Sequence, residues 1–529
     1  ITLLLRNHDN CPRILSSCQN VCYNTFAYNR LYGCGKYDVE KGLAKMSNSL
    51  AKNAVYKAVL NVFNLLVPLL VGPYITGLLD EELYGMYNRV LAEFQVFLTI
   101  GAFGIYNYGV REISKIREDI NKVSQLFTSL FIVGVLANFL VTIFYIIYFL
   151  SGGHIKGEYD LYVYLIMIFQ IVGNIVYVEF INEAVENYGF ITKKTVLVRV
   201  GYLASIFLFV REAEDVVPYT FVVCLTVLAN NLISFLYIKR RLPFCEMREV
   251  RIVKHLVPLV VSLMMTNVEI LYTQLDKLWL GSINDVWVTE YVLPYTLVGM
   301  ISTVPLSLVT VAIPRLGAYV GNGDRKGYFE VLNSTTNLYM AMVIPMAMGV
   351  AVLSKEIMQL YTQGVYTYVY PVLVVAGVAR IVYAYQSVIT NLVMYVNSME
   401  NMLVIMLAIF GVCNVVFKLI LSVAGALTPL TATATTALAA LLFVVFAYGY
   451  TCYRLKTRYA LFSKRVLGYL LVSLLFFPIS FWVHSRWQSL LPVIVFTIVG
   501  SVAVYGIYLL VTKDPILDFL FGRFRRNEE

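Results

Sequence analysis

About fourteen apolar runs, each long enough to cross a bilayer, fill the chain from Ala54 to Thr512. A hydrocarbon core offers no water to the backbone, so such runs must close their hydrogen bonds as helices. That pattern confines the fold to an all-α polytopic membrane bundle. The runs lie at roughly 54–76, 88–109, 124–150, 161–182, 195–211, 217–238, 254–280, 286–312, 332–353, 368–396, 401–423, 429–452, 463–484 and 489–512. Composition agrees: 59% of residues are hydrophobic and 14% charged, against about 45–50% and 25% in soluble proteins. The net charge of +9 is dispersed among short loops, which argues against nucleic acid and for contact with anionic membrane lipids.

Lysine and arginine fall almost entirely into every second gap. One set of gaps holds Arg111, Lys115, Arg117 and Lys122; Lys193, Lys194 and Arg199; the run from Lys239 to Lys254; Arg315, Arg325 and Lys326; and Arg454 to Arg465. The tail adds Arg523, Arg525 and Arg526. The other set is acidic or neutral, as at Asp80–Glu82, Glu158 with Asp160, and Glu212–Asp215. The positive-inside rule then puts the basic gaps and both termini in the cytoplasm. Trp279, Trp287, Trp482 and Trp487 sit near run ends, where interfacial aromatics belong.

The longest basic loop follows the sixth run. Residues 46–240 are therefore expected to form one six-helix lobe and 241–455 a second, with 456–529 adding two helices and a basic tail. Residues 1–45 differ, with Cys11, Cys18, Cys22, Cys34 and His8 but no sustained apolar run. Their spacing lacks the paired knuckles of structural zinc sites. They are expected to be a non-native or disordered extension ahead of a start at Met46. The remaining cysteines, Cys224, Cys245, Cys413 and Cys452, read as small apolar fillers.

Ionisable groups inside the runs are costly and mark candidate sites. Arg89 and Glu93 share a helical face in run 2; Glu179, Glu183 and Glu186 form an acidic stripe ending run 4. Run 7 holds Glu269 and Asp276–Lys277, and run 10 holds Arg380. Lys418 in run 11 is expected to snorkel to the outer face, and the competing reading of Asp276–Lys277 is an outer-end pair reaching water. Pro68, Gly72 and Pro73 are expected to interrupt run 1, and Pro294 and Pro305 run 8, freeing backbone for a polar cavity. An ordinary kink is the competing reading. With no phosphate-binding loop, metal knuckle or nucleophile elbow, the residues point to a transporter needing no cofactor, not to an enzyme.

Four segments carry a family resemblance. They are KNAVYKAVLNVFNLLVPLLVGPYITGLL (52–79), GIYNYGVREISKIRE (104–118), VENYGFITKK (185–194) and LYTQLDKLWLG (271–281). From Met46 onward the chain resembles bacterial oligosaccharide flippases of the O-antigen and capsule repeat-unit (Wzx) type, within the multidrug/oligosaccharidyl-lipid/polysaccharide exporter superfamily. The resemblance implies a central, often cationic cavity and alternating access. Matched positions carry over Arg111, Glu112, Glu186, Asp276, Lys277 and Arg315. The family usually has a basic residue near the end of span 1, where this chain has Thr76–Gly77. The segment 427–440, LTPLTATATTALAA, replaces a more glycine-rich helix.

The expected function is flipping a polyprenyl-pyrophosphate-linked oligosaccharide from the cytoplasmic to the outer leaflet of a bacterial plasma membrane, alongside a polysaccharide polymerase and other assembly proteins. Arg89, Lys277 and Arg380 are the expected substrate contacts. Asp276, Glu186, Glu183 and Glu93 are expected to be counter-charges or ion-coupling groups, and Arg111, Glu112 and Arg315 cytoplasmic gating or structural residues. The alternatives are a cation-coupled multidrug exporter, a lipid II flippase and a non-transporting scaffold.

Overall fold

The computed structural model describes residues 50–152, 155–267 and 270–517. The expected extension at 1–45 with its cysteines and His8, the start at Met46, His154, Glu269 and the arginines of the tail lie outside the described residues.

Among the described residues nineteen α-helices follow one another. The first lobe begins with α1 (Leu50–Leu78), α2 (Glu81–Ala102), α3 (Ile105–Ile116) and α4 (Ile120–Ser151). It continues through α5 (Glu158–Ile175), α6 (Glu179–Ala184), α7 (Tyr188–Phe209) and α8 (Val216–Lys239). Next come α9 (Ile252–Asn267), α10 (Leu275–Ile283), α11 (Asp285–Gly321), α12 (Arg325–Val352) and the short α13 (Ser354–Tyr361). The remainder are α14 (Tyr370–Ser387), α15 (Glu400–Val423), α16 (Pro429–Leu455), α17 (Lys464–Leu474), α18 (Phe476–Arg486) and α19 (Leu490–Thr512).

Among the described residues, 12 helical stretches are long and apolar enough to cross a membrane. Two expected crossings fall outside that set for local reasons. The fifth, α7, carries Lys193, Lys194 and Arg199, and the seventh is divided between α9 and α10. The chain is a multi-pass membrane protein. Its short loops work as helix caps: the Asp80 carboxylate accepts from the amides of Glu82 and Leu83, and Asp324 caps α12 at Gly327. Thr428 and Thr431 cap α16 reciprocally, with Pro429 opening the helix.

The interruptions are not where the prolines suggest. Pro68 and Pro73 lie inside the continuous α1, and Pro294, Pro305 and Pro314 inside the continuous α11. Kinked helices absorb a proline when a neighbour or a small adjustment satisfies the freed carbonyl. The breaks fall at Phe103–Gly104, both left-handed, between α5 and α6, and at two π-helical turns, Ile270–Gln274 and Val388–Tyr395. A Cβ on Gly104 would lie 2.6 Å from the Leu263 nitrogen, so glycine lets α9 approach.

Alternation of the crossings gives the bundle a basic side and an acidic side. On the basic side the first lobe has its own apolar cluster, including Ile113, Phe127, Phe180 and Leu242. That cluster includes Leu259 of α9, and Tyr108 Oη meets His255 Nδ1 at 2.7 Å. So α9, which follows the expected lobe boundary at 240, packs on the first lobe, whereas α10 packs on α11. The second lobe's cluster runs from Tyr272 through Met340 and Phe443 and takes in Tyr469 and Tyr505 of the last two crossings. A third cluster joins both lobes on the acidic side, with Val71, Tyr87 and Phe94 against Leu297, Tyr361 and Leu373. Among the described residues the basic-side clusters draw on 105–259 and on 272–516 respectively, whereas the acidic-side cluster draws on both halves. The lobes are therefore packed together on the acidic side and cored separately on the basic side.

Candidate functional site

Three ionic groups, each buried where charge is expensive, organise the interior. The first seals the acidic side. Arg89, 2% exposed on α2, donates from Nε to Asp285 Oδ1 at 2.9 Å, from Nη2 to Asp160 Oδ1 at 2.6 Å and from Nη1 to Glu93 Oε1 at 3.3 Å. Asp285 opens α11 in the other lobe. Lys156 reaches the same Asp285 oxygen at 2.7 Å and the Gly281 carbonyl at 3.1 Å. Glu93 also accepts from the Tyr148 hydroxyl at 2.8 Å and from Tyr164. The fork of a guanidinium suits this use, since three carboxylates can approach it in its plane.

Weaker contacts extend the seal. Asn88 Nδ2 donates to Thr289 Oγ1 at 2.9 Å. Thr76 Oγ1 reaches the Tyr361 carbonyl at 3.2 Å, and Gln363 Nε2 the Pro73 carbonyl at 3.0 Å. The Thr76–Gly77 pair that replaces the family's basic residue thus lies in the contact between lobes. Gly85 lets backbone meet backbone: a Cβ there would lie 2.5 Å from the Asp285 carbonyl carbon and oxygen. Backbone cannot step aside, so Gly85→Val is expected to wedge the acidic side apart. A cysteine at Thr289 should then react faster with a membrane-impermeant thiol reagent than in the parent; an unchanged rate would refute the wedge.

The second group lies inside the second lobe. Lys418 Nζ pairs with Asp276 Oδ1 at 2.6 Å and donates to Asn414 Oδ1 at 2.6 Å and Thr436 Oγ1 at 2.8 Å. Tyr291 and Thr436 hydroxyls each donate to Asp276 Oδ2 at 2.7 Å. Lys418 is 1% exposed; it does not snorkel, because a carboxylate waits for it inside. Neither does Asp276 reach water, and its partner is Lys418. Lys277 stands beside it on α10, half-buried.

The third group is the first lobe's counterpart. Lys194 Nζ takes Glu179 Oε2 at 2.8 Å and Ser234 Oγ at 2.7 Å. The expected acidic stripe does not act as one surface. Glu179 faces Lys194, Glu183 accepts from Tyr106 at 2.5 Å, and Glu186 pairs with Arg117 at 2.9 Å beyond the end of α6. The reason is the helix end: Glu186 has φ 57°, so its side chain leaves the α6 face.

Arg380 stands apart. It lies on α14 beside a cleft lined by Val298, Ser302 and Pro305 of α11 and by Val343, Ala347 and Val350 of α12. Its Nε is buried without a hydrogen-bond partner, and among the described residues no carboxylate pairs with it. Tyr339 and Tyr383 face it. An arginine without a counter-charge in such surroundings keeps its charge uncompensated at a cost. Arg111, Glu112 and Lys115 form an exposed network on the basic side, with Arg111 Nε to Glu112 Oε1 at 3.0 Å, and Arg315 is exposed near the end of α11.

Sequence reading put Arg89 among the substrate contacts; in this conformation its guanidinium is committed to carboxylates. It missed Asp160, Asp285 and Lys156 in the seal, and it counted Lys194 as a loop cation. One signal was available for Lys418: Asn414 one turn earlier in run 11 and Thr433 with Thr436 in run 12 mark polar faces inside apolar helices. Among the described residues no three of His, Cys, Asp and Glu gather as metal ligands.

Comparison with known proteins gives the following. Residues 50–320 match the family model described as polysaccharide biosynthesis protein. Over 170 residues the chain is 24% identical to the “Putative O-antigen transporter” of Escherichia coli (strain K12), an alignment covering 32% of this chain and 40% of that one. The chain thus spans well under half the length of that curated relative. Among solved structures, the lipid II flippase MurJ in an inward closed conformation aligns with TM-score 0.66 at 16% identity, over 88% of this chain and 100% of that one. An inward-facing multidrug resistance MATE family transporter of the MOP superfamily aligns with TM-score 0.53 at 12% identity, over 74% of this chain and 98% of that one. These likenesses show a shared transporter fold.

Proposed function

The chain belongs to the polysaccharide biosynthesis protein family, and from that premise we propose that it is a flippase for a polyprenyl-pyrophosphate-linked oligosaccharide. The observation that carries the reading is a two-lobed membrane bundle whose halves share a core on one side only. Such a body presents a site to one face and then, by rocking of the lobes, to the other. The basic loops mark the cytoplasmic face of a bacterial plasma membrane, with both termini inside. The conformation is then inward-facing, ready to take a lipid-linked glycan from the cytoplasmic leaflet.

Arg380 supplies the cation for the pyrophosphate, and Lys277 is a second contact. The lipid tail stays between helices while the glycan crosses. A partner that polymerises the glycan would act on the product at the outer face. The order of events needs no bond making or breaking by this chain.

The test is made in a strain lacking the gene, by asking which leaflet of its spheroplasts holds pyrophosphate-linked oligosaccharide. Build-up on the cytoplasmic leaflet, relieved by the gene, is expected. A second reading, that the glycan is the peptidoglycan precursor, is favoured by the alignment that covers all of the lipid II flippase. Accumulated lipid II with normal surface polysaccharide would select it. No accumulation of either, with new sensitivity to cationic drugs, would reject both.

A further inference from the structure

We propose that Lys418 is a built-in cation, its ammonium filling an oxygen cage in the second lobe that takes a free monovalent metal cation once the ammonium is removed. The inference concerns the lobe's own charge balance and does not rest on the glycan reading.

The cage is built from three helices. Asp276 Oδ1 of α10 and Asn414 Oδ1 of α15 stand 2.6 Å from Nζ, and Thr436 Oγ1 of α16 stands 2.8 Å away. An ammonium has three donors, and here each has one oxygen. The oxygens are themselves fixed. Thr436 and Tyr291 hold the other carboxylate oxygen at 2.7 Å, and Asn414 Nδ2 lies 3.5 Å from both Asp276 Oδ1 and the Tyr272 carbonyl. Asp276, Asn414, Lys418 and Thr436 are all within 1% of fully buried.

Carboxylate, amide and hydroxyl oxygens are the donor set that hard cations choose. A metal ion in their midst would need no rearrangement of the outer contacts, because Tyr291 and the Asp276–Thr436 bond do not involve the ammonium. Without Lys418 the Asp276 carboxylate would face low dielectric alone, and it must then recruit a cation or a proton. The wild type has already supplied the cation from its own chain. It follows that the second lobe runs without sodium or potassium at this position.

Lys418→Met is the informative variant, since methionine keeps most of the stem and deletes the ammonium. The full-length protein is purified in detergent, and its melting temperature is followed while choline chloride is exchanged for sodium, potassium or lithium chloride at constant ionic strength. Wild type is expected to melt at the same temperature in all four. Lys418→Met should melt lower in choline and recover several degrees, saturably, with one of the metal salts. Adding Asp276→Asn should abolish that recovery.

A saturable metal response in the wild type that Asp276→Asn removes would overturn the proposal. So would a Lys418→Met protein indifferent to all three metals, since a proton on Asp276 would then have taken the place of the lysine. If Lys418→Met cannot be recovered folded, Lys418→Ala and the wild-type comparison decide by the same criteria.

Discussion

A disulfide between cysteines placed at Asn88 and Thr289 is expected to abolish transport and to release it again on reduction. The two side chains belong to different lobes and meet at 2.9 Å, on the side where the lobes share a core. Alternating access requires them to part in every cycle, and a covalent link forbids that. The measurement is the leaflet assay in a background cleared of native cysteines, with and without reductant. Undiminished transport by a fully cross-linked protein would end the account of the acidic side as a moving gate.

The same pair reports on the charges beneath it. Asp285→Asn weakens what Arg89 and Lys156 hold across the lobes but leaves Arg89 with Asp160 and Glu93. The lobes should then separate more often, and the rate of disulfide formation should fall several-fold. Arg89→Met would be a poorer probe. Among the described residues it takes the only cation from Asp160 and Glu93 and leaves Asp285 to Lys156 alone, and breaking a buried pair in this way typically costs about 3–5 kcal/mol, so lost activity would be confounded with lost protein.

What the sequence disclosed about this region, and what it concealed, follows from the range of the forces involved. A crossing is a property of some 20 consecutive residues, and sidedness is a count over loops, so both survive in one dimension. Arg111 and Glu112 were legible as a basic-side pair because they are neighbours. Arg89 with Glu93 was legible as one helical face. Asp160 and Asp285 look like ordinary residues at the water interface. Only the fold brings them to one guanidinium. Lys194 illustrates the converse: next to Lys193 at a run's start it reads as a loop charge, yet it is 4% exposed, because α7 begins earlier than its apolar run. The prolines misled for a related reason. A proline states that one amide is missing, but whether the helix breaks depends on what the neighbours offer the freed carbonyl.

Arg380 should separate binding from stability in a way the other buried charges cannot. Removing Asp276 or Lys418 leaves a charged partner behind. Removing Arg380 leaves none among the described residues, and it abolishes a buried nitrogen that has no hydrogen bond. Arg380→Ala is therefore expected to melt no lower than wild type, while apparent affinity for the lipid-linked glycan falls. A charge-assisted hydrogen bond is worth about 1.5–3 kcal/mol, which converts to roughly 10- to 150-fold. Lysine at this position should restore part of the loss, since it returns the charge without the planar fork. Arg315→Ala provides the contrast. That residue is exposed near the end of α11, and its loss should cost little of either quantity. The measurements are melting temperature and concentration-dependent transport in vesicles. An Arg380→Ala protein that binds and flips like wild type would remove the anion from the second lobe. One that unfolds would show that the arginine has a structural partner, and the cationic site would then have to be sought around Lys277.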